Sequence, residues 1–189
     1  MTQTHLVSGH FTDRRLEYCI DPGRSIIVGS DICAPGYWDN PEYNNHISYC
    51  VKQFLEFWWS QPVFRKIADS NPILMYKLGK KAKPHPAIED LRKNHGVPVE
   101  WTSIAETPTY NHHGYNAYRH AFVWGIHSEI CVANHVNALA SLDARTKAVY
   151  MDRAIVPLNT VTGASNVYGH ARHHPQVDVL NIRNCEIVT

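Results

Sequence analysis

The pattern of hydrophobic and polar residues alternates between short apolar runs and longer amphipathic stretches. Compact apolar runs over 25–31, 72–77 and 121–125 are typical of strands that are buried on both faces, as in parallel sheets. A broad apolar stripe at helical spacing follows the first run, and another follows the last. Strands that alternate with helices over this length predict a doubly wound, mainly parallel α/β sheet with helices on both faces.

The stretch after the opening strand predicts a long amphipathic helix. Asn44 and Asn45 are candidate N-caps, and Pro62 ends or kinks the helix. The stripe usually packs in a core. Its last two residues have a second interpretation as a subunit contact, because aromatic residues are enriched at interfaces, and we expect a homo-oligomer. The stripe consists of Ile47, Val51, Phe54, Leu55, Trp58 and Trp59.

The remaining elements complete the alternation. Gly96 supplies the usual C-terminal stop for one helix. The polar, aromatic stretch 107–118 is interpreted as a long loop over the site, and Asp21-Pro22-Gly23 is a turn signal. The other predicted elements are strands over 16–20, 97–102, 147–152 and 185–189, and helices over 87–94, 130–144 and 164–173.

Length and composition indicate one globular domain. The chain has 189 residues, of which 44% are hydrophobic and 19% are charged. These values are ordinary for a chain that buries a full core. Residues 1–24 are polar and largely irregular, so we interpret them as an N-terminal extension packed on a domain formed by residues 25–189.

Charge and cysteine content exclude several classes of protein. The chain has 18 Lys and Arg residues against 17 Asp and Glu, a net charge of +1, which is no electrostatic footprint for nucleic acid or an anionic membrane. No apolar run approaches the roughly 20 residues that span a bilayer, and the N-terminus lacks the features of a signal peptide. The five cysteines are odd in number, scattered and without a CxxC pair. They indicate a reduced, cytoplasmic chain.

The stretch from Val123 to His135 carries the candidate chemistry. A strand that passes through Gly125 into a helix places the first helical residues where backbone N–H groups are unpaired and the helix dipole is positive. A thiolate is stabilised at such an end, so Cys131 is a candidate nucleophile. The alternative is that Cys131 is a small buried hydrophobic residue, which is the common role of an unbridged cysteine.

A carboxylate closes the opening strand. The run Ser25-Ile-Ile-Val-Gly-Ser ends at Asp31, and open α/β sheets bind ligands beyond the carboxyl ends of their strands. Asp31 is therefore a candidate site residue. A turn or a helix cap is the alternative role for its side chain.

The motif from Gly125 to Val132, Gly-Ile-His-Ser-Glu-Ile-Cys-Val, resembles the cysteine-bearing signature of the isochorismatase-like cysteine hydrolases, which include nicotinamidases. The strand that closes on Asp31 resembles the family's first strand, which carries the catalytic aspartate. Residues 149–154 resemble a later strand that ends in Asp-Ala, and residues 186–189 resemble the closing strand. The resemblance covers residues 25–189.

The resemblance implies a doubly wound α/β hydrolase that cleaves C–N bonds through an Asp, Lys, Cys trio. Cys131 would be the nucleophile and Asp31 the base that takes its proton. The substrate carbonyl would form a thioester after losing ammonia or an amine, and water would then release the acid. The family's cis peptide bond would fall at Ile126–His127 and would aim the N–H of His127, with that of Cys131, at the oxyanion.

The lysine of the trio departs from the family pattern. The family places it after the third strand, but the strand predicted over 97–102 carries no lysine. Lys77, at the carboxyl end of the second strand, is the best substitute, because a strand beside the Asp31 strand delivers its ammonium to the same pocket. Lys93 is better spaced before Cys131 but lies on a predicted helix.

The metal site of the family's nicotinamidases is not matched. That site uses an Asp and histidines after the second strand, whereas here only His85 follows closely, without an Asp-x-His beside it. His170 and His174 lie one helical turn apart on a predicted helix, which is a spacing that metal ligands use. Solvent-exposed histidines on a helix, without a metal, are the alternative interpretation. His112 and His113 are interpreted as substrate contacts at the pocket mouth or as ordinary loop residues. We therefore expect no cofactor, with a divalent metal such as zinc as the alternative.

The leading hypothesis is a cytoplasmic cysteine hydrolase of a small-molecule amide, with Asp31, Lys77 and Cys131 as catalytic residues and no nucleic-acid or membrane partner. The departure at the lysine and the long loop motivate an alternative, a non-catalytic relative that binds a small molecule or a protein partner. A third interpretation keeps the fold but cleaves an ether or ester. The cysteine favours C–N cleavage, since relatives with vinyl-ether chemistry can dispense with it.

Overall fold

A computed structural model of the protein describes residues 5–11, 14–30, 32, 41–77, 85–103, 118–142, 146–157, 173, 175–180 and 186–188. The described part begins with an antiparallel hairpin of β1 (His5–Phe11) and β2 (Arg14–Ile20). A 3₁₀ turn at Pro22–Arg24, capped by the Asp21 carboxylate, leads into β3 (Ser25–Ser30). The predicted turn and both strands around it are confirmed.

The rest of the chain alternates helices with strands, as the apolar pattern predicts. Among the residues that the structure describes, no helix is both long and apolar enough to cross a bilayer. In chain order the elements are α1 (Pro41–Gln53), a π-helical turn (Phe54–Trp59), α2 (Pro62–Ser70), β4 (Ile73–Lys77), α3 (Pro86–Asn94), β5 (Val99–Ser103), β6 (His120–Ile126), a second π-helical turn (Ser128–Val132), α4 (Ala133–Leu142), β7 (Lys147–Val156), β8 (Val177–Leu180) and β9 (Glu186–Val188).

Within the described residues, the main sheet has six parallel strands in the order β5-β4-β3-β6-β7-β8. The chain starts at the centre, runs outwards to β5, returns to the centre at β6 and then runs outwards to β8. The strand order therefore reverses between β3 and β6. Sheets of this kind bind ligands in the crevice at that point, beyond the carboxyl ends of the strands. The predicted doubly wound, mainly parallel fold is confirmed.

Helices cover both faces of this sheet. Ile27 and Phe122 pack in the apolar cluster that contains residues of α1, α2 and α3. Their neighbours Val28 and Val123 pack in a second cluster, on the face covered by α4. All four side chains are fully buried. This explains why the central strands are apolar at successive positions instead of alternating with polar residues.

The apolar stripe after β3 belongs to the core, and its pair of tryptophans divides in role. Trp58 is 0% exposed, and its indole N–H donates to the carbonyl oxygen of Asp152 at 3.0 Å. Trp59 is half-buried and stacks on Phe54 with ring centroids 6.4 Å apart. The core interpretation is therefore confirmed for Trp58, since a fully buried side chain leaves no surface for a subunit contact.

β7 is longer than the sequence predicts and is interrupted. It continues past Asp152, and its pairing with β6 skips from residue 150 to residue 155. In the bulge Arg153 has a φ of 65°, which is uncommon for a side-chain-bearing residue. The Cys50 thiol donates to the carbonyl oxygen of Ala154 at 2.9 Å. The side chains of Cys50 and Trp58 thus donate hydrogen bonds to backbone carbonyls of β7 at the bulge, where the pairing with β6 is interrupted.

The two ends of the described chain form a small sheet of their own. β9 pairs antiparallel with β1, which gives a three-stranded sheet in the order β2-β1-β9. The closing strand is correctly predicted as a strand, but it does not extend the parallel sheet. β1 lies in residues that the sequence predicts to be irregular; it pairs with the adjacent β2 on one side and with the distant β9 on the other. The division into an extension and a domain at residue 24 stays a prediction.

Other boundaries also differ from the predictions. α1 begins at Pro41 instead of Asn44 or Asn45, since proline fits the first turn of a helix, where its missing N–H has no partner. β8 has no counterpart among the predicted elements. Apart from His173, the helix predicted over 164–173 lies outside the described residues, as does most of the loop over 107–118.

Candidate functional site

The carboxyl ends of β3 and β6 approach each other closely at the centre of the sheet. The strands pair in register, with Ser30 opposite Gly125. Gly125 has a φ of +129°, and a Cβ at this position would lie 2.2 Å from the carbonyl oxygen of Ser30. Only glycine adopts this backbone region at no cost and leaves room for the second strand. The glycine of the cysteine motif is therefore required by the contact between the two central strands.

The cysteine follows in the first helical turn after β6. The backbone carbonyl of His127 accepts hydrogen bonds from the N–H groups of Ile130 at 3.1 Å and Val132 at 3.2 Å. The latter bond has the five-residue spacing of a π-helical turn. The peptide bond Ile126–His127 is cis, where the resemblance expects it. Cys131 lies in this turn and is partly exposed, so it is not the fully buried hydrophobic residue of the alternative interpretation.

Cys50 provides the contrast within the same molecule. It is 0% exposed, and burial raises the pKa of its thiol well above the usual range. A neutral, inaccessible thiol neither attacks a substrate nor reacts with reagents in solution. Of the two cysteines whose side chains the structure describes, Cys131 alone has the accessibility of a nucleophile.

The two other members of the predicted trio belong to neighbouring strand ends in the sequence. Asp31 comes directly after β3 but lies outside the described residues. Lys77 is the last residue of β4, and its backbone pairs with Ser103 of β5. β4 lies directly beside β3 in the sheet. The structure therefore agrees with the predicted strand for Lys77, while its catalytic role stays a prediction.

Lys93, the alternative lysine, lies elsewhere. It is in the last turn of α3, exposed to solvent, and its ammonium is 3.4 Å from the Glu89 carboxylate. α3 ends shortly before β5 begins, so Lys93 lies towards the amino edge of the parallel sheet. Cys131 follows the carboxyl end of β6, at the opposite edge. The structure does not bring these two side chains together.

His85 has a structural role in the described residues. Its Nδ1 accepts a hydrogen bond from the N–H of Ala87 at 3.1 Å, which caps α3. Its Nε2 is 3.1 Å from Asn44 Oδ1, to which it donates in the neutral tautomer that this cap requires. Burial lowers the pKa of His85, which favours the same neutral form. Both ring nitrogens are thus used within the protein.

The described residues do not fit a metal. Among them, no group of three His, Cys, Asp or Glu side chains is arranged to hold an ion, and zinc sites use at least three protein ligands. His170 and His174 lie outside the described residues, as do His112 and His113.

The sequence gives no signal for one contact of the cysteine motif. The His127 ring meets the ring of Tyr43 edge-on at 5.3 Å and the ring of His46 edge-on at 5.6 Å. His46 Nδ1 is 3.4 Å from His127 Nε2. Tyr43 and His46 share a face of α1 because they are three residues apart. Nothing in the sequence indicates that this face meets β6, since the contact joins residues far apart in the chain.

Comparison with known proteins places the fold. No family sequence model and no curated protein sequence matches the chain. A nicotinamidase from Bacillus subtilis superposes with a TM-score of 0.59 at 9% identity, over 84% of this chain and 99% of that one. An isochorismatase from Pseudomonas putida superposes with a TM-score of 0.55 at 14% identity, over 86% and 90% of the two chains. The chain has an isochorismatase-like fold.

The isochorismatase-like fold also occurs in a protein described by a different activity. MAR1 ribonuclease from Caenorhabditis elegans superposes with a TM-score of 0.54 at 11% identity, over 87% of this chain and 80% of that one. At such identities the likeness concerns the fold alone. The chemistry of this protein must therefore be argued from its own residues.

Proposed function

We propose that the protein is a cysteine hydrolase that cleaves the C–N bond of a small-molecule amide through a thioester on Cys131. The observation that carries this proposal is the position of Cys131, partly exposed in the first helical turn after β6. The strand order reverses beside that strand. The dipole at the amino-terminal end of a helix favours negative charge there, so both a thiolate and a tetrahedral oxyanion are stabilised.

In the proposed mechanism Asp31 takes the thiol proton, and the Cys131 sulfur attacks the amide carbonyl carbon. The carbonyl electron pair moves to oxygen, where the backbone N–H groups of His127 and Cys131 donate to the oxyanion. The carbonyl then re-forms, the C–N bond breaks, and the proton passes to the leaving amine. A water molecule that Asp31 deprotonates attacks the thioester, releases the acid and restores the thiol.

Lys77 is the proposed cationic partner of this site. Gly29 of β3 pairs with Met75 of β4, and Asp31 follows Gly29 at the same interval as Lys77 follows Met75. Residues at equal distance along adjacent parallel strands stay level with each other. This register supports a lysine ammonium beside the aspartate, where it would lower the pKa of a neighbouring thiol.

The nucleophile is tested with Cys131→Ala on a panel of small primary amides that includes nicotinamide. The variant should lose ammonia release completely, because no other group forms the thioester. Cys50→Ala is the matched control, since this buried thiol takes no part in the chemistry, and it should retain turnover at temperatures where it is folded. Ammonia release by Cys131→Ala at the wild-type rate would show that the mechanism is wrong.

A single-stranded RNA belongs in the same panel, because MAR1 ribonuclease shares the fold. We expect no cleavage of this RNA. RNA cleavage that persists in Cys131→Ala, together with inert amides, would replace the amidase proposal by a nuclease one.

The lysine is tested by comparing Lys77→Gln with Lys93→Gln, an exposed control. Loss of a neighbouring cation raises a thiol pKa by about 1–3 units, so alkylation of Cys131 at neutral pH should slow at least about tenfold in Lys77→Gln. Lys93→Gln should behave as wild type. Equal rates in both variants would remove Lys77 from the site.

The alternative of a non-catalytic binding protein makes a distinct prediction. In that case the whole panel stays intact, and Cys131 reacts with iodoacetamide with the pH profile of an ordinary thiol, whose pKa is about 8.5. The hydrolase predicts alkylation that persists at lower pH. The cytoplasmic location and the homo-oligomeric state stay predictions.

A further inference from the structure

Arg153 is a cation without an acidic partner in the bulge of β7. Its backbone φ of 65° lies in the left-handed region, which costs free energy for a residue that has a Cβ. The side chain is half-buried, and its buried Nε has no hydrogen-bond acceptor among the described residues. Those residues also place no carboxylate at ion-pair distance from the guanidinium. Backbone strain at a polar residue that lacks a partner is typical of a ligand site.

The ring of Phe57 holds this cation in one orientation. The Arg153 Cζ lies 4.2 Å from the centroid of the Phe57 ring, which is a cation–π contact. Phe57 belongs to the π-helical turn Phe54–Trp59. In the next residue of that turn, the Trp58 indole donates to the carbonyl oxygen of Asp152, the residue before Arg153. This hydrogen bond ties the two segments together, so the guanidinium is a positioned group and not a mobile surface cation.

The burial of Nε determines how a ligand can reach the guanidinium. Of its three nitrogens, only Nε is both buried and unpaired among the described residues. The two terminal nitrogens have no partner there either, so the exposure of this half-buried side chain includes them. Together they present two N–H donors at the end of a planar group. Two acceptor oxygens in one plane match this arrangement.

Charge favours a carboxylate as the ligand. The guanidinium carries one positive charge at every physiological pH. A carboxylate carries one negative charge, whereas a phosphate monoester carries about 1.5 to 2 at pH 7. A single positioned cation therefore neutralises a carboxylate completely and a phosphate only in part. Charge-assisted hydrogen bonds of this kind are about twice as strong as neutral ones.

We propose that Arg153 and Phe57 form a binding site for the carboxylate of a small molecule at the bulge of β7. The two terminal nitrogens of Arg153 donate to the two carboxylate oxygens, and Phe57 fixes the plane of the guanidinium. The bulge directs the arginine side chain to this position, which is a known use of such irregularities. This site goes beyond the proposed hydrolase function, and no part of it depends on Cys131.

Acetate is the probe for this site, and acetamide is its neutral control. The guanidinium signals of isotope-labelled protein are recorded by NMR while acetate replaces chloride at constant ionic strength. The Arg153 signals are assigned from their absence in Arg153→Lys. They should shift saturably with acetate, with half-saturation at roughly 10–100 mM, the order expected for one charge-assisted pair. Acetamide should leave them in place.

Substitutions then test the two residues separately, with the backbone amide signal of Ala154 as the readout. Arg153→Gln should abolish the response to acetate, and Arg153→Lys should weaken binding at least about threefold, because lysine lacks the planar fork. Phe57→Leu should weaken it about twofold to fivefold through loss of the cation–π contact. Arg65→Gln, which removes an exposed arginine of α2, should bind acetate as the wild type does.

Three outcomes would overturn the inference. Shifts that do not saturate, or that are equal at Arg65 and Arg153, would indicate general screening of charge by the salt. An equal response to acetamide would show that the charge is not recognised. An unchanged Ala154 response in Arg153→Gln would assign the binding to another group. If that variant unfolds, Arg153→Gly replaces it, since glycine adopts a φ of 65° without strain; if both unfold, the wild-type titration decides.

Discussion

Gly125 joins the fold to the candidate site, and replacing it tests how closely the two central strands must approach. In Gly125→Ala the new Cβ would lie 2.2 Å from the carbonyl oxygen of Ser30 and 2.8 Å from its nitrogen. Both atoms belong to the backbone of β3, so no side-chain rotation relieves the overlap. The φ of +129° at Gly125 adds a second cost, since residues with a Cβ rarely adopt it.

The two effects can be added roughly. A residue held in a glycine-only backbone region costs about 1–3 kcal/mol, and overpacking of a rigid core costs about 1–3 kcal/mol more. Gly125→Ala should therefore lower the free energy of unfolding by about 2–6 kcal/mol, a large part of the roughly 5–15 kcal/mol that stabilises a typical domain. For a chain of this size the melting temperature should fall by roughly 5–20 °C. Urea denaturation followed by far-UV circular dichroism measures the free energy directly.

Gly96 supplies the matched control. It also has a positive φ, +63°, but a Cβ there would meet nothing within 4 Å. Gly96→Ala therefore carries only the backbone cost, about 1–2 kcal/mol. Equal losses of stability in the two variants would refute the argument, because they would show that contact between β3 and β6 at Gly125 contributes nothing beyond the backbone angle.

Three further predictions follow from buried groups. Native Cys50 should resist iodoacetamide while Cys131 is modified, because burial raises the pKa of Cys50; labelling of Cys50 before unfolding would contradict this. Burial lowers the pKa of His135 to about 4, below the ordinary value of about 6.5, so the unfolded chain binds this proton more readily. The free energy of unfolding should fall by about 3 kcal/mol as pH drops from about 6.5 to about 4. Over the same range, the urea midpoint of His135→Gln should fall less steeply with pH than that of the wild type. Trp58→Phe should lower the free energy of unfolding, measured by urea denaturation, by about 1–3 kcal/mol, because it leaves the part-buried Asp152 carbonyl without its indole donor; an unchanged midpoint would mean that water replaces the indole.

Part of the candidate site could be predicted from the sequence, and part could not. The motif from Gly125 to Val132 combines a strand end, a turn and a helix start, which are all local properties of consecutive residues. The exposure of Cys131 agrees with that local interpretation, and the cis bond at Ile126–His127 lies where the family resemblance implies it. The contact between His46 and His127 was beyond it, because it joins two segments that are 81 residues apart and leaves no trace in either segment alone.

The sequence by itself determined the strands and helices at the centre of the parallel sheet, and that the central strands are buried on both faces, but it did not predict β1 or β8. Those properties depend on the spacing of apolar residues within a few turns or a few strand positions. Only the tertiary structure decided that β9 pairs with β1 outside the main sheet, and that β7 bulges where Trp58 and Cys50 bind its backbone. These features are decided by contacts between distant segments, whose free energies depend on the packing of the whole domain and not on any local pattern.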